Sequence, residues 1–338
     1  MKTDTAAPAA DIPGLVLRAY AGEADIPDFV RIWNAQHAAD GIEERLTLES
    51  ERAWLRSPSG HFDPHRDIVL AELDGRVVAV AGQEWVDNRD GALRDHRLWG
   101  AVDPAFRRRG IGAALLADNE RRARELAASL PQDRRSVFGS WSAVDRPAAR
   151  LLERSGYEVV RWFFEMVRRD LDDVPKASLP GGIELRPVMP DQHLAIWRAN
   201  REAFRDHWGG SDESEDAMRR FLESPDTDTS LWLIAWDGDE VAGGVFNGIP
   251  AAQNAELGLR RGWLESVFTR RPWRRRGLAR VLMLRSLALL RERGMTSAAL
   301  AVDADNALGA LGLYERAGFA VHERFMAWRK ALDIEVPS

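Results

Sequence analysis

A short motif of three arginines followed by Gly-x-Gly or Gly-x-Ala occurs twice in this chain. Each copy follows a run of strand-forming residues and opens a long amphipathic stretch, so we expect a loop that leads into a helix. The free N–H groups and positive dipole end of a helix N-terminus attract phosphate groups. We therefore predict two phosphate-binding loops. The copies are Arg107-Arg108-Arg109-Gly110-Ile111-Gly112 and, 167 residues later, Arg274-Arg275-Arg276-Gly277-Leu278-Ala279.

The repeat extends over both halves of the chain. Each half has an Ile-Trp pair on its first predicted helix, at 32–33 and 196–197, and an Asp-Gly turn between strands, at 74–75 and 237–238. Asp-Gly favours a hairpin because glycine accepts a positive φ. The sequence predicts two tandem α/β domains, each a mixed, mostly antiparallel sheet flanked by helices. The predicted segments are a leader at 1–13, domains at 14–170 and 183–332, and a linker at 171–182.

Composition narrows the class of protein. The chain has 338 residues, 45% hydrophobic and 30% charged, which is typical of a soluble protein with two domains. It has no cysteine, which excludes disulfides and thiolate nucleophiles and fits a cytoplasmic location. The net charge of −6 disfavours a broad nucleic-acid surface, and no apolar run has membrane-spanning length. We expect no nucleic-acid or membrane partner, and the oligomeric state stays open.

A second element follows the second motif: Asn306, then Leu313-Tyr314-Glu315-Arg316-Ala317-Gly318-Phe319. Together the two elements, in this strand and helix order, resemble the GCN5-related N-acetyltransferase (GNAT) superfamily over about residues 14–332. A tandem pair at this length is most similar to the mycothiol synthase branch, whose members acetylate the cysteinyl amine of a pseudodisaccharide thiol precursor. The resemblance implies an acetyl-CoA-dependent N-acetyltransferase that acts on a small-molecule primary amine by direct attack in a ternary complex.

The resemblance places acetyl-CoA on the strand, loop and helix around each motif. Main-chain groups of the strand before the motif would pair with the pantetheine arm and polarise the acetyl carbonyl, and loop amides would face the pyrophosphate. The cofactor-binding candidates are Val267, Phe268, Thr269, Arg274, Arg275, Arg276, Gly277, Leu278, Ala279, Arg280 and Asn306 in the second half, and Val102, Arg107, Arg108, Arg109, Gly110, Ile111 and Gly112 in the first.

Two side chains of the second half are predicted to move protons. Tyr314 holds the position at which the family places the acid that protonates the departing thiolate, and the first half has Leu152 there. Glu265 lies on the strand before the second motif and is the candidate base for the amine, whereas its counterpart in the first half is Leu98. The sequence therefore predicts a catalytic C-terminal half and a degenerate N-terminal half.

Other signals remain open. Four polar or aromatic residues that follow the Ile-Trp pair of the second half are candidates for the acceptor pocket: Asn200, Asp206, His207 and Trp208. The pair His61 and His65 has a spacing that suits metal on one helical face, but Pro64 disfavours that helix, so we predict no metal. Two rival functions are a protein or peptide N-acetyltransferase and an acyl-CoA-binding sensor without turnover. The acceptor amine and acyl-chain preference are not predicted.

Overall fold

The computed structural model describes residues 12–89, 91–305 and 309–333. Its contacts group the chain into two compact units. Unit 1 consists of Met1–Val160, Gly209–Asp212 and Met326–Ser338, and unit 2 of Arg161–Trp208 and Glu213–Phe325. The division thus lies at 160/161, ahead of the expected linker at 171–182, and the last strand of the sequence ends in unit 1. Residues 1–11 of the predicted leader lie outside the described residues.

Unit 1 is a mixed sheet with helices on both faces. The strand order is β1-β2-β3-β4-β5, and the end of β12 lies next to β5. The neighbours from β1 to β4 are antiparallel, and β4 and β5 are parallel. The elements that begin in this unit are β1 Leu15–Ala19, α1 Ile26–Asp40, α2 Leu48–Arg56, α3 Pro64–Asp67, β2 Ile68–Leu73, β3 Arg76–Asp87, β4 Leu93–Val102, α4 Ile111–Ser129, β5 Arg135–Ala143, α5 Pro147–Arg154 and β6 Glu158–Arg168.

Alternation along β2 shows how the two faces of unit 1 are covered. Leu70 packs in a cluster with α1 and α2, whereas its neighbour Ala71 packs in a cluster with α4. Successive side chains of a strand point to opposite faces, so one strand contributes to both cores. The turn that follows is the predicted hairpin, since Asp74 and Gly75 have φ values of 53° and 77°.

The end of β12 is fixed in unit 1 by polar contacts as well as by packing. Trp328 Nε1 donates to Ser142 Oγ at 2.9 Å. Lys330 Nζ donates to both oxygens of the buried Glu120, at 2.9 and 3.1 Å, and the Tyr157 hydroxyl donates to the same carboxylate at 3.1 Å. The C-terminal residues 326–331 are therefore part of the core of unit 1.

Unit 2 repeats this architecture. Its strand order is β6-β11-β10-β9-β8-β7, in which only β10 and β11 are parallel. Helices α9 and α10 pack in one core cluster, and α6 and α7 pack in another. This confirms the predicted α/β class with mixed, mostly antiparallel sheets. The elements are β7 Ile183–Arg186, α6 His193–Ala203, α7 Glu215–Glu223, β8 Leu233–Asp237, β9 Glu240–Gly248, α8 Ala251–Leu257, β10 Arg261–Thr269, α9 Leu278–Glu292, β11 Ser297–Asp303, α10 Ala310–Arg316 and β12 Ala320–Ala331.

Candidate active site

The strands β10 and β11 of unit 2 part from one another after three residues. Their pairing covers Arg261–Trp263 and Ser297–Ala299, whereas β10 continues to Thr269 along β9. The edge of β10 that faces β11 is therefore open beyond Trp263. Main-chain groups on such an edge are available to an extended ligand, which can pair with them as an added strand would.

Alternation along β10 decides which main-chain groups face this gap. The N–H of Arg270 donates to the Ala242 carbonyl of β9 at 3.0 Å. In an antiparallel ladder, alternate residues point to the same side, so the main chain of Phe268 also faces β9. Val267 and Thr269 face the gap. The carbonyl of Thr269 accepts from Arg274 Nε at 3.0 Å. Among the three predicted strand residues, the groups left toward the gap are the N–H and C=O of Val267 and the N–H of Thr269.

Glu265 is the extra residue of a β-bulge. Leu264 pairs with Asn247 and Ser266 with Phe246, so the register skips Glu265. A bulge turns the side chain of the extra residue out of the regular alternation, and bulges are frequent beside active sites. The matching strands of unit 1 pair without a shift from Ala79–Val102 to Asp87–Arg94. The bulge is therefore a difference between the two copies, and the linear sequence gave no signal for it.

The carboxylate of Glu265 lies against Gly248, where any side chain would collide with it. The residue is exposed to solvent, while nearby protein atoms partly desolvate its carboxylate. Desolvation, with a smaller contribution from the charge of Asp226, raises the pKa of Glu265 to about 7. A carboxylate with this pKa exchanges protons near neutral pH, as a general base requires.

Asn200 supports the bulge from helix α6. Its side chain is 1% exposed, and Nδ2 donates to Ser266 Oγ at 2.7 Å. This hydrogen bond ties α6 to the residue next to Glu265. Asn200, named as an acceptor-pocket candidate, is thus positioned to hold the bulge in place and has little surface with which to touch a ligand.

The other acceptor-pocket candidates lie in the segment after α6. Asp206 forms an ion pair with Arg271 Nη2 at 2.7 Å, which connects this segment to the loop before the second motif. The ring of His207 lies 4.3 Å from that of Phe204, and the ring of Trp208 lies 5.9 Å from that of Phe163. The segment thus contacts the loop before the second motif through Asp206 and strand β6 through Trp208.

The two arginine–glycine loops have the same backbone conformation. Arg108 and Gly110 have φ values of 65° and 84°, and Arg275 and Gly277 have 62° and 79°. A positive φ at arginine is unfavourable, so its recurrence shows that this loop shape is maintained in both copies. The proline before the motif is shifted by one position between the copies, yet the 3₁₀ turns Pro104–Phe106 and Arg271–Trp273 begin at matching positions.

The second loop presents main-chain donors at the start of α9. The helix begins at Leu278 after Gly277, and no side chain caps its first turn. Alternation of left-handed and other residues turns successive N–H groups toward one side, which forms a concave anion site. Arg274 instead braces the loop, since its Nη2 donates to the Ala203 carbonyl at 3.1 Å. Arg275 and Arg276 are exposed.

Tyr314 on α10 is 8% exposed and packs in the core beside Phe319. Burial raises the pKa of its hydroxyl to about 12, so the phenol stays protonated at neutral pH. Its hydroxyl makes no hydrogen bond with another described residue, which leaves the proton free for a ligand. In unit 1 the matching residue, Leu152, lies in the core. The cofactor candidate Asn306 lies outside the described residues.

In unit 1 a protein side chain already occupies the main-chain donor that matches the Thr269 N–H. The N–H of Val102 donates to Gln36 Oε1 at 3.0 Å. Arg107 makes a two-pronged ion pair with Asp40, at 2.7 and 2.9 Å. Ile12 lies beside Gly110, with Cδ1 3.4 Å from the place of a Cβ there, whereas no atom of a described residue lies within 4 Å of that place at Gly277. The first loop has the same backbone shape as the second, but side chains of unit 1 occupy the space and the donor beside it.

The described parts of the chain contain neither a cluster of metal-ligating side chains nor a helix suited to cross a membrane. The short helix α3 begins at Pro64, so His61 precedes it and the two histidines do not share a helical face. Within residues 12–89, 91–305 and 309–333, no group of three or more metal-ligating side chains is found. Over the same residues, no helix combines the length and apolar character needed to cross a bilayer.

Comparison with known families supports the two-domain organisation. The model of the acetyltransferase (GNAT) family matches residues 194–319, and that of an acetyltransferase (GNAT) domain matches residues 64–159. Each half of the chain thus carries its own match.

The full chain is similar to proteins named mycothiol acetyltransferase. The protein of Geodermatophilus obscurus is 31% identical over 318 residues, which cover 91% of this chain and 95% of the relative. That of Nocardia farcinica is 33% identical over 296 residues, covering 85% and 88%. These alignments span both halves.

Solved structures show the same fold over the full length. A GCN5-related N-acetyltransferase from Sphaerobacter thermophilus superposes with a TM-score of 0.71 at 28% identity, covering 96% of this chain and 98% of that one. A tandem GNAT protein from the clavulanic acid biosynthesis pathway gives a TM-score of 0.70 at 18% identity, covering 96% and 99%. The tandem relatives, the two family matches and the shared fold agree, and the chain belongs to the GNAT acetyltransferases, as a tandem-domain member similar to mycothiol acetyltransferases.

Proposed function

We propose that the protein transfers an acetyl group from acetyl-CoA to a primary amine of a small molecule, and that unit 2 carries the reaction. The observation that supports this most is the bulge at Glu265 beside the open edge of β10, since the matching strands β3 and β4 of unit 1 pair without a bulge. The relatives' name favours a small acceptor of the mycothiol-precursor type, a cysteinyl amine on a sugar derivative.

The residues of unit 2 fit the donor and its chemistry. The N–H groups at the start of α9 face outward for a pyrophosphate, and the main-chain groups of Val267 and Thr269 fit an extended amide-bearing arm. Glu265 accepts the proton of the acceptor ammonium. The amine nitrogen then forms the new bond to the acetyl carbon, and the Val267 N–H donates to the carbonyl oxygen as it gains charge. The bond to sulfur breaks, and Tyr314 donates its proton to the departing thiolate. The nitrogen loses its second proton as it becomes the amide, and that proton restores the phenol of Tyr314 through solvent.

Release of free CoA thiol tests this proposal. Full-length protein is mixed with acetyl-CoA and, in separate reactions, with cysteinyl glycosides, amino sugars, polyamines, amino acids and peptides. We expect saturable thiol release with the cysteinyl glycosides. Turnover on peptides alone would indicate that the acceptor is a protein or peptide and not a small molecule. Binding of acetyl-CoA without turnover on any amine would favour the sensor function.

We also predict that one equivalent of acetyl-CoA binds per chain. In unit 1, Gln36 holds the Val102 N–H, so the donor would have to displace this side chain. Calorimetric titration of the full chain measures the stoichiometry. Charge reversal at matching exposed positions shows which loop binds acetyl-CoA. Arg276→Glu should weaken acetyl-CoA binding at least tenfold, because the carboxylate repels the phosphates. Arg109→Glu should leave the affinity unchanged. A stoichiometry of two would overturn the prediction.

A further inference from the structure

A cavity of unit 2 has walls rich in arginine. Its volume is about 400 Å³, within the range usual for ligand sites. One wall is helix α9, a second is the end of α10, and a third is the segment that follows β6. The charged residues that line it are Arg168, Arg169, Arg280, Arg316, Asp170 and Asp173.

Two of these arginines serve the walls themselves. Arg168 donates to the main-chain carbonyls of Asp170, Asp173 and Ala317, at 2.8, 2.6 and 2.8 Å. These bonds join the segment after β6 to the end of α10. Arg169 Nη2 lies 3.4 Å from His322 Nδ1. Both guanidinium groups are therefore engaged by the protein itself, and we do not count them as ligand-binding groups.

Arg280 and Arg316 line the cavity and have no partner among the residues that the structure describes. Neither guanidinium makes a hydrogen bond or ion pair with another residue that the structure describes, and both residues are exposed. Arg316 folds back along its helix, with Nη1 3.2 Å from the place of a Cβ at Gly312. Two unpaired guanidinium groups from neighbouring helices suit an oxyanion, because each offers a planar pair of donors.

The place of Arg280 indicates which oxyanion this is. Arg280 is the third residue of α9, whose N-terminus is the proposed pyrophosphate site. In CoA the ribose that follows the pyrophosphate carries a 3′-phosphate, so a second phosphate group lies one sugar away from the first. Leu284 and Leu313 add apolar wall to the same cavity, which suits the sugar and base.

We propose that this cavity binds the 3′-phosphate of the acyl donor, with Arg280 and Arg316 as its ligands. The proposal rests on the proposed function, since it requires a CoA thioester on unit 2. Asp170 and Asp173 lower the positive potential of the cavity, so binding depends on direct guanidinium contacts rather than on net charge. A phosphate monoester from another molecule is the alternative source of the same chemistry.

Calorimetry with two donors tests the proposal on the full chain. The donors are acetyl-CoA and the acetyl thioester of 3′-dephospho-CoA, which differ by this phosphate alone. We expect the wild type to bind acetyl-CoA about tenfold more tightly. Arg316→Ala and Arg280→Ala should each weaken acetyl-CoA about tenfold and leave the dephospho donor unchanged. Arg285→Ala, an exposed arginine of the same helix outside the cavity, is the matched control.

Each other result overturns the assignment. If Arg316→Ala weakens both donors equally, its effect does not come from the 3′-phosphate. If the wild type binds both donors equally while inorganic phosphate still binds in an Arg316-dependent way, the cavity takes a separate phosphate ligand. If neither donor binds to the wild type, the proposed function itself fails, which is a different outcome from equal binding of both donors.

Discussion

Replacing Tyr314 by Phe should lower kcat for acetyl transfer about a hundredfold, at the lower end of what a positioned general acid contributes. The substitution removes one hydroxyl that makes no hydrogen bond with another described residue, so the fold loses little. Burial holds the pKa of this phenol at about 12, well above that of a thiol, so the proton is present throughout the working range. The loss should therefore be similar from pH 6 to pH 9, as measured by thiol release at saturating donor and amine.

Two controls separate this role from a structural one. The affinity for acetyl-CoA, measured by calorimetry, should stay within about twofold of the wild type, because the lost interaction belongs to the departing thiolate and not to the bound donor. Tyr157→Phe is the matched substitution in unit 1, where the hydroxyl donates to Glu120. It should reduce stability by about 2 kcal/mol, because the lost hydrogen bond is to a carboxylate, and leave kcat unchanged. An unchanged kcat in Tyr314→Phe would remove the acid role.

The local elements of the fold were predictable because their signals are local. Asp74-Gly75 specifies a turn through its own backbone preferences, and the glycine before each helix marks the loop through its positive φ. The family motifs likewise fixed the α/β class. The packing of the end of β12 in unit 1 was not predictable in this way. Residues 326–331 follow the second copy in sequence but pack in unit 1, and no short-range pattern encodes that choice of partner.

The candidate site likewise has features that the local sequence predicts and features that depend on tertiary contacts. The sequence names Glu265 and Tyr314 through position relative to a motif, and it identifies Leu98 and Leu152 as their counterparts. It does not show that Glu265 is an extra residue in its strand, because a bulge depends on the register with β9. The occupation of the Val102 N–H by Gln36 is also a tertiary contact. Its only sequence signal is that Gln36 and Asn200 each follow an Ile-Trp pair by three residues.

Glu265→Gln should lower kcat about a hundredfold at pH 8 and abolish one limb of the pH profile. With its pKa near 7, Glu265 is protonated below that value and cannot accept the amine proton. In the wild type, kcat at saturating amine should therefore fall about tenfold for each pH unit below 7, and the variant should lack this dependence. Acceptors whose amine pKa values differ by a unit identify the limb, since a limb from the amine shifts with the acceptor and one from Glu265 does not.

The same pKa shift predicts the sign of the effect on stability. The folded-state pKa of Glu265 lies above the unfolded value of about 4.3, so between these values the folded state holds the extra proton. The contribution of this group to the free energy of unfolding is present below pH 4.3 and is lost as the pH rises through 7. Glu265→Gln keeps a neutral side chain and should melt no lower than the wild type at pH 8, so its lost activity cannot come from unfolding.

Glu51 of unit 1 provides the matched control. Burial alone raises its pKa to about 7, and one of its carboxylate oxygens is buried without a hydrogen-bond partner among the described residues. Glu51→Gln also replaces a carboxylate whose pKa is raised to about 7 by a neutral amide. This variant should likewise melt no lower than the wild type at pH 8. Its pH profile of kcat should retain the limb near 7. If Glu265→Gln also retains that limb, the base is another group, and the bulge serves only to place the strand.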